Sequence, residues 1–281
     1  MDNRFVVLTE YFRANNAGRR KEINKSIEIN CRTPQIKRVI IFTDPEVEFP
    51  PSLKRVLSEE NYSKIEFHYT KPQGRSTYSD FYSYANENLI GENCVLCNND
   101  ISFDESLDLI ISSEDFDLSG HFICLTRWDV MRDNSLRFKQ PARIRKNSQD
   151  AWIFKAPVPV KMVKKGDFYM GRPGCDGMIS YLATISGLKI LNPSQKIIAA
   201  HRHFSKYRTY GRKHRMGGDD IYMCVYPTDK LHCDKSKVLY KFNEPERGYL
   251  YGDEAMERAI ERESNNEIHW NYALEKCKRL Q

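Results

Sequence analysis

The residues of this chain that could do chemistry lie in short polar segments beside apolar runs. Asn98-Asn99-Asp100 follows the apolar run 94–97. Asn98 and Asp100 are two residues apart, so an amide and a carboxylate oxygen could face the same way and bind one hard cation. The alternative is a plain turn, where Asn and Asp are common for conformational reasons. These three residues alone leave both interpretations open.

A second polar segment is His201-Arg202-His203, which follows the apolar run 197–200. Alternation along a predicted strand over 197–203 would put both imidazoles on one face. Two histidines on one face indicate a site more often than a lone histidine does. Imidazole combined with carboxylate suits Mn²⁺, whereas an all-oxygen ligand set would suit Mg²⁺ better. Which of His201 and His203 would bind stays undecided.

A third segment, Gly171-Arg-Pro-Gly174-Cys175-Asp176, places an acid at the start of a predicted helix. Asp176 could be a general base that projects from a glycine-rich loop into a cleft. The alternative is a helix-terminal carboxylate stabilised by backbone amides, worth about 0.3–1 kcal/mol. Asp150, just before the apolar residues 152–154, stands in a similar polar segment, for which a simple turn is the alternative.

The elements that must position these residues alternate between strands and helices in the first hundred residues. This alternation predicts βαβ units and a mainly parallel sheet, in which ligands bind at the carboxyl ends of the strands. Residues 9–13, Asp44 and residues 98–100 should then lie along one rim. The predicted strands are 5–8, 38–42, 65–69 and 94–97, and the predicted helices are 20–31, 51–60 and 77–89.

The second half of the chain is less regular. Apolar patterning there predicts strands over 121–128, 152–154 and 197–203 and helices over 175–187 and 254–280. Between them, residues 211–218 form a basic, glycine-containing linker.

The composition is that of a folded protein. The 281 residues include 40% hydrophobic and 29% charged residues, which excludes a wholly disordered chain and predicts one large domain, with or without an appendage. The apolar runs are strand-sized, well short of the roughly 20 residues of a membrane-spanning helix. No signal peptide is evident at the start of the sequence, so we expect a soluble, cytoplasmic protein.

The net charge bears on the kind of binding partner, and the cysteine content bears on disulfide bonds and metal binding. The formal charge of +6 suits an anionic partner but leaves nucleic acid, a membrane surface and a phosphorylated small substrate open. Eight cysteines are scattered along the chain, which favours reduced thiols over a disulfide framework. Cys94 and Cys97 resemble a metal-binding pair, but in a strand they would point to opposite faces and chelate one zinc ion poorly.

In this order, the segments resemble nucleotide-sugar glycosyltransferases with the GT-A fold, a single Rossmann-like α/β domain. The resemblance covers roughly residues 3–210 and rests on the first strand with Thr9-Glu10, the second strand ending in Asp44, and a helix over 75–88 that leads into 94–100. Asn98-Asn99-Asp100 stands where that fold usually has Asp-x-Asp, with Asn98 in place of the first aspartate. The segments 148–154, 174–176 and 201–203 resemble bacterial and large-virus proteins of this type.

The resemblance implies donor-binding roles for four residues. Asp44 would accept a hydrogen bond from the base, expected to be uracil, and Thr9 with nearby backbone would line the nucleotide pocket. Arg75 would hold the ribose or diphosphate, because its planar donors match phosphate oxygens. Asn98 would complete this cofactor-binding set.

It also implies the residues of the chemical step. Asp100, with His201 or His203, would hold a divalent cation, with Mn²⁺ favoured over Mg²⁺. Asp176 would deprotonate the acceptor hydroxyl in an inverting transfer. Asp150, with Trp152, would face the sugar or acceptor and is the second catalytic candidate.

The sequence therefore predicts a metal-dependent hexosyl- or pentosyltransferase of polysaccharide biosynthesis, with a UDP-sugar donor, a glycan acceptor and no nucleic acid partner. Residues 1–210 would form the GT-A domain and 211–281 a partly helical C-terminal extension. That extension could be a packing appendage, cover the acceptor cleft, form a dimer contact or touch anionic lipid, and the oligomeric state is undetermined. The alternatives are a metal-dependent phosphodiesterase or nuclease, and a non-catalytic carbohydrate-binding protein that uses its 16 Tyr and 3 Trp for stacking.

Overall fold

The structure is a computed structural model, which describes residues 2–71, 74–138, 148–205, 207, 211, 223–234, 236–238, 252–265 and 270. Thirteen strands fall within these residues: β1 (Phe5–Tyr11), β2 (Ile36–Thr43), β3 (Ile65–Tyr69), β4 (Asn93–Cys97), β5 (Ile101–Ser102), β6 (His121–Leu125), β7 (Trp128–Val130), β8 (Leu136–Arg137), β9 (Ala151–Lys155), β10 (Lys189–Leu191), β11 (Ala200–His201), β12 (Met223–Val225) and β13 (Ser236–Val238).

The helices of the described residues flank these strands. They are α1 (Ala17–Arg32), α2 (Pro51–Val56), α3 (Glu59–Tyr62), α4 (Tyr78–Asn88), α5 (Asp108–Ile111), α6 (Val160–Lys165), α7 (Cys175–Ile185) and α8 (Gly252–Asn265), with a short 3₁₀ turn at Glu105–Leu107.

Seven strands form the central sheet, in the order β10-β6-β9-β4-β1-β2-β3. β4, β1, β2 and β3 pair in parallel, β10 pairs in parallel with β6, and β9 runs antiparallel between β4 and β6. This mainly parallel sheet with flanking helices confirms the predicted α/β, Rossmann-like GT-A fold class. The carboxyl ends of β1, β2 and β4 share one edge, where the predicted site was expected.

The central strands are apolar on both faces because helices and loops cover the sheet on both sides. Val6 and Leu8 of β1 belong to one buried cluster, whereas Phe5 and Val7 belong to the other. Cys94 and Cys97 divide between the same two clusters, so they do lie on opposite faces. A shared zinc ion at this pair is therefore ruled out by the direction of the side chains.

Several predicted boundaries were wrong. β1 continues to Tyr11, so Thr9 lies inside the strand rather than in a loop. The strand predicted over 121–128 is two strands, β6 and β7, and the helix predicted over 51–60 is two short helices, α2 and α3. The strand predicted over 197–203 is reduced to the two residues of β11. For the strands, the apolar runs were right, but backbone pairing decided where each strand ends. The predicted helix is divided at Ser58, whose side chain caps α3.

A smaller sheet, in the order β5-β11-β7-β8, lies beyond the end of β4. In it, His201 pairs with Ile101 on one side and with Asp129 on the other. This pairing places His201 beside Ile101, the residue that follows Asp100. In the chain, about a hundred residues separate Asp100 from His201. The small sheet thus positions the candidate site.

The described part of the C-terminal region packs onto the first 200 residues. Trp270 is buried and stacks on Tyr181 of α7, and Lys165 forms an ion pair with Glu263 of α8. The predicted basic linker lies outside the described residues except for Gly211, and so do residues 266–269 and 271–280 of the predicted terminal helix. Within the described part of the chain, no helix combines the length and apolarity that a membrane span requires.

Candidate functional site

Three residues predicted as metal ligands come together at the edge of the central sheet. The Nε2 atom of His201 lies 3.0 Å from Oδ2 of Asp100, and Nδ1 of His203 lies 3.6 Å from the same oxygen. Asp100 is 4% exposed and His201 is 8% exposed. One ligand atom from each residue falls within 4.8 Å of the other two, a spacing that one divalent ion could bridge.

The second ring nitrogen of each histidine has its own acceptor. Nδ1 of His201 lies 3.4 Å from a carboxylate oxygen of Asp129, and Nε2 of His203 lies 3.1 Å from the carbonyl oxygen of Tyr207. With these nitrogens donating, a neutral imidazole would offer its other nitrogen, the one that faces Asp100, to a metal ion. Metal-binding histidines commonly have such an outer hydrogen bond. The residues present therefore fit a divalent cation.

The charges of this group are strongly coupled. Burial opposes ionisation of Asp100, but His201, His203 and Arg19 hold the pKa of its carboxyl well below the ordinary value. Burial likewise opposes the imidazolium of His201, but Asp100 and then Asp129 raise its pKa to about 9. The group is thus an acid surrounded by positive charge.

Arg19, at the start of α1, is a residue of this site that the sequence interpretation missed. Its Nη1 atom lies 2.8 Å from Oδ2 of Asp100, and its Nη2 atom donates to Oδ1 of Asn99 at 3.2 Å. Glu22, one turn later, accepts hydrogen bonds from the backbone and hydroxyl of Ser205 at 2.6 and 2.9 Å. The first turns of α1 therefore hold both the Asn98–Asp100 segment and the chain that follows His203.

Asp150 is linked to this group through Arg127. The guanidinium donates to both carboxylate oxygens of Asp150 at 3.1 and 3.3 Å and to Asp129 at 3.3 Å. The side-chain amide of Asn98 donates to Asp150 at 2.8 Å. A continuous polar chain thus runs from Asp100 through His201, Asp129 and Arg127 to Asp150.

Asp176 lies in the first turn of α7, after Gly174 in the left-handed conformation. Burial, followed by the nearby negative charge of Asp150, raises the pKa of the Asp176 carboxyl to about 8. The Cys175 thiol donates to Oδ1 of Asp176 at 3.1 Å, and the Tyr78 hydroxyl donates to that sulfur at 3.6 Å. Asp176 and Asp150 therefore form a pair of neighbouring acids with different environments.

Arg75 and Asn98 both lie close to Gly171, in the loop before α7. Its guanidinium donates to Glu10 at 3.0 Å and to the Met170 carbonyl at 3.1 Å, and it lies over the ring of Tyr169 at 5.6 Å from the centroid. A methyl group on Gly171 would lie 3.6 Å from Oδ1 of Asn98 and 4.0 Å from Nη2 of Arg75. The loop before α7 thus approaches both predicted donor-binding side chains.

The remaining two predicted donor-binding residues lie on β1 and at the end of β2. Thr9 is buried, and its hydroxyl donates to the Cys97 carbonyl at 3.1 Å. This hydrogen bond links β1 to β4 within the sheet. Asp44 follows β2 and accepts the backbone N–H of Glu46 at 2.8 Å. Asp44 is therefore at the predicted rim, whereas Thr9 lies two residues inside it.

Five of the nine predicted residues lie in one network of hydrogen bonds and ion pairs: Asn98, Asp100, Asp150, His201 and His203. Asp176 lies close enough to Asp150 to feel its charge, and Arg75 and Asn98 both lie near Gly171. Besides Arg19, the sequence interpretation missed Glu10, Arg127 and Asp129 as members of the site. Arg127-Trp128-Asp129 does follow the apolar run 121–125, as the other polar segments follow theirs. That position after a strand was the available indication.

No family model matches the chain, and no curated protein sequence matches it. Similar solved structures include the mannosyltransferase PcManGT of Pyrobaculum calidifontis in complex with GDP-Man and Mn²⁺ (13% identity, 75% of this chain and 59% of that chain, TM-score 0.47). They include S. aureus TarS 1-349 in complex with UDP-GlcNAc (15% identity, 73% and 62%, TM-score 0.46). They also include a 4-diphosphocytidyl-2C-methyl-D-erythritol synthase of Anaerococcus prevotii (13% identity, 76% and 95%, TM-score 0.45).

The chain covers less than two thirds of the length of these two glycosyltransferase chains. At such identities and TM-scores the likeness concerns the fold alone.

Proposed function

We propose that this chain is a nucleotide-sugar glycosyltransferase that moves a sugar from a UDP-sugar to a hydroxyl of a glycan acceptor. The observation that carries the proposal is the polar chain from the Asp100–His201–His203 group to the Asp150–Asp176 acid pair. A cation-binding group for a diphosphate and a carboxylate with a raised pKa are the two parts that such a transfer needs.

Asp100, His201 and His203 would hold the divalent cation. When bound, the cation would offset the negative charge that grows on the leaving diphosphate. Two imidazole nitrogens beside one carboxylate favour Mn²⁺ over Mg²⁺. Asp129 and the Tyr207 carbonyl orient the two rings through their outer nitrogens.

Asp176 would take the proton of the acceptor hydroxyl. A general base works best with a pKa near the working pH, and the pKa of about 8 meets that condition. Asp150 is hydrogen-bonded to Arg127 and Asn98, which fixes its orientation beside Asp176. A single base of this kind suits inversion at the anomeric carbon.

The donor would extend from this group toward Arg75 and Asp44. Arg75 is already oriented by Glu10 and Tyr169 and presents a planar donor to phosphate or ribose oxygens. Asp44 would accept the imide N–H of uracil at the end of β2.

The test combines binding with donor turnover. Melting temperature is measured with UDP, with Mn²⁺ and with both, and released nucleotide is measured with UDP-, GDP- and TDP-sugars. We expect UDP and Mn²⁺ together to raise the melting temperature more than the two separate shifts combined, and UDP to be released from a UDP-sugar. Stabilisation by an oligonucleotide instead would favour the phosphodiesterase, and stabilisation by neither would favour a carbohydrate-binding protein.

A further inference from the structure

One carboxylate oxygen of Asp100 is in contact with three groups that can carry positive charge. Besides the two histidines, the Arg19 guanidinium lies 2.8 Å from Oδ2. The Arg19 side chain is only 11% exposed, so solvent screens this pair far less than a surface ion pair. A divalent cation bound at Asp100 would have to share this oxygen with Arg19.

The structure around the start of α1 fixes the position of Arg19. Asn16 caps α1 by accepting the backbone N–H of Arg19 at 2.9 Å, and Glu22 lies 3.4 Å from the guanidinium. A Cβ at Gly18 would lie 3.1 Å from Oδ1 of Asn16, the oxygen that caps the helix, so glycine leaves room for this cap. The backbone of α1 thus delivers the guanidinium to Asp100.

Arginine differs from the histidines in one decisive property. A histidine can lose its proton and become a ligand, whereas a guanidinium stays charged at any pH at which proteins fold. Cation binding at Asp100 therefore brings two like-charged groups together unless the guanidinium acquires another anion. The diphosphate of a nucleotide, bound by the same cation, is an anion whose oxygens match the guanidinium donors.

We propose that Arg19 competes with the divalent cation for Asp100 and passes to the nucleotide diphosphate when both are bound. The cation would then bind weakly alone and tightly with the nucleotide, and Arg19 would be the residue that couples the two. The second half of this inference rests on the proposed function, whereas the competition at Asp100 does not.

The experiment measures Mn²⁺ affinity from the electron paramagnetic resonance signal of free Mn²⁺, with and without saturating UDP. Wild type is compared with Arg19→Gln, Arg19→Lys and Lys25→Gln. Lys25 is the matched control, because it lies on the same helix, is about half exposed and pairs with Glu28. If Arg19→Gln does not fold, Arg19→Met, which keeps the length of the stem, takes its place.

We expect Arg19→Gln to bind Mn²⁺ alone at least tenfold more tightly than wild type. Arg19→Lys, which keeps the charge, and Lys25→Gln should both stay within about threefold of wild type. The gain in Mn²⁺ affinity on adding UDP should be at least tenfold in wild type and several-fold smaller in Arg19→Gln.

Equal or weaker binding of Mn²⁺ alone by Arg19→Gln would overturn the competition. An equal UDP-dependent gain in wild type and in Arg19→Gln would overturn the coupling. If UDP gives no gain in wild type while Arg19→Gln still binds Mn²⁺ more tightly, then the proposed nucleotide function fails and the competition at Asp100 stands.

Discussion

Replacing Asp176 by Asn separates a catalytic role of this residue from a structural one. Asn matches the carboxyl in size but cannot accept a proton. Loss of a general base slows chemistry roughly 10²–10⁴-fold. At 1.36 kcal/mol per tenfold change, that corresponds to about 2.7–5.4 kcal/mol of lost transition-state stabilisation.

The effect of this substitution on stability should depend on pH. A carboxylate in the first turn of a helix contributes about 0.3–1 kcal/mol only while it is ionised. The pKa of Asp176 is raised from its ordinary value of 3.8 to about 8, so its carboxyl is mostly protonated in the folded protein at pH 7. Because the folded state holds the proton more tightly than the unfolded state, wild type should lose stability relative to Asp176→Asn as the pH rises from about 4 to about 8.

The assay is release of UDP from a UDP-sugar, followed from pH 6 to about 9 together with thermal unfolding over the same range. In wild type, turnover should rise with pH through about 8, since only the ionised carboxylate can act as a base. Asp253→Asn is the control, because Asp253 also lies in the first turn of a helix, α8, and its side chain is 72% exposed. Turnover by Asp176→Asn within about threefold of wild type would make Asp176 structural, and Asp150 would become the next candidate base.

Three further changes test other parts of the site. Asp100→Ala should abolish Mn²⁺-dependent UDP binding in calorimetry and leave a folded protein, and full wild-type activity in excess EDTA would contradict a metal role. Asp44→Ala should weaken UDP binding at unchanged metal dependence, so an unchanged affinity for UDP would remove Asp44 from the base pocket. Gly171→Ala and Gly187→Ala should each lower the free energy of unfolding by about 1–2 kcal/mol, because both glycines have positive φ. Only Gly171→Ala should also weaken UDP binding, because Gly171 lies near Asn98 and Arg75. Equal UDP affinity in the two variants would refute the role of the loop before α7.

The apolar runs of the sequence were sufficient to predict the central strands. Residues 5–8, 39–42 and 94–97 are apolar on both faces, and that pattern is a local property of a strand buried between two layers. The alternation with helices was sufficient for the parallel order of this half of the sheet. Both depend on neighbours in sequence, so they could be predicted without long-range information.

The ends of the strands were less predictable, because pairing with other strands decides them. Thr9 was predicted at the rim, but pairing of β1 with β2 extends the strand past it to Tyr11. Residues 197–203 have the apolar pattern of a long strand, but only two of them find pairing partners in the small sheet.

The residues of the candidate site were likewise only partly predictable from the sequence. The residue types at 98–100, 150, 176 and 201–203 marked them as polar segments beside apolar runs, so the sequence was enough to select them. Arg19 and Arg127 were missed, since arginines on a helix or after a strand look like ordinary surface residues. Arg19 reaches Asn99 across 80 residues of chain, and Arg127 reaches Asp150 across 23. Only the tertiary structure decides such ion pairs, because they depend on how the sheets order distant segments, and that order leaves no trace in the local pattern of the sequence.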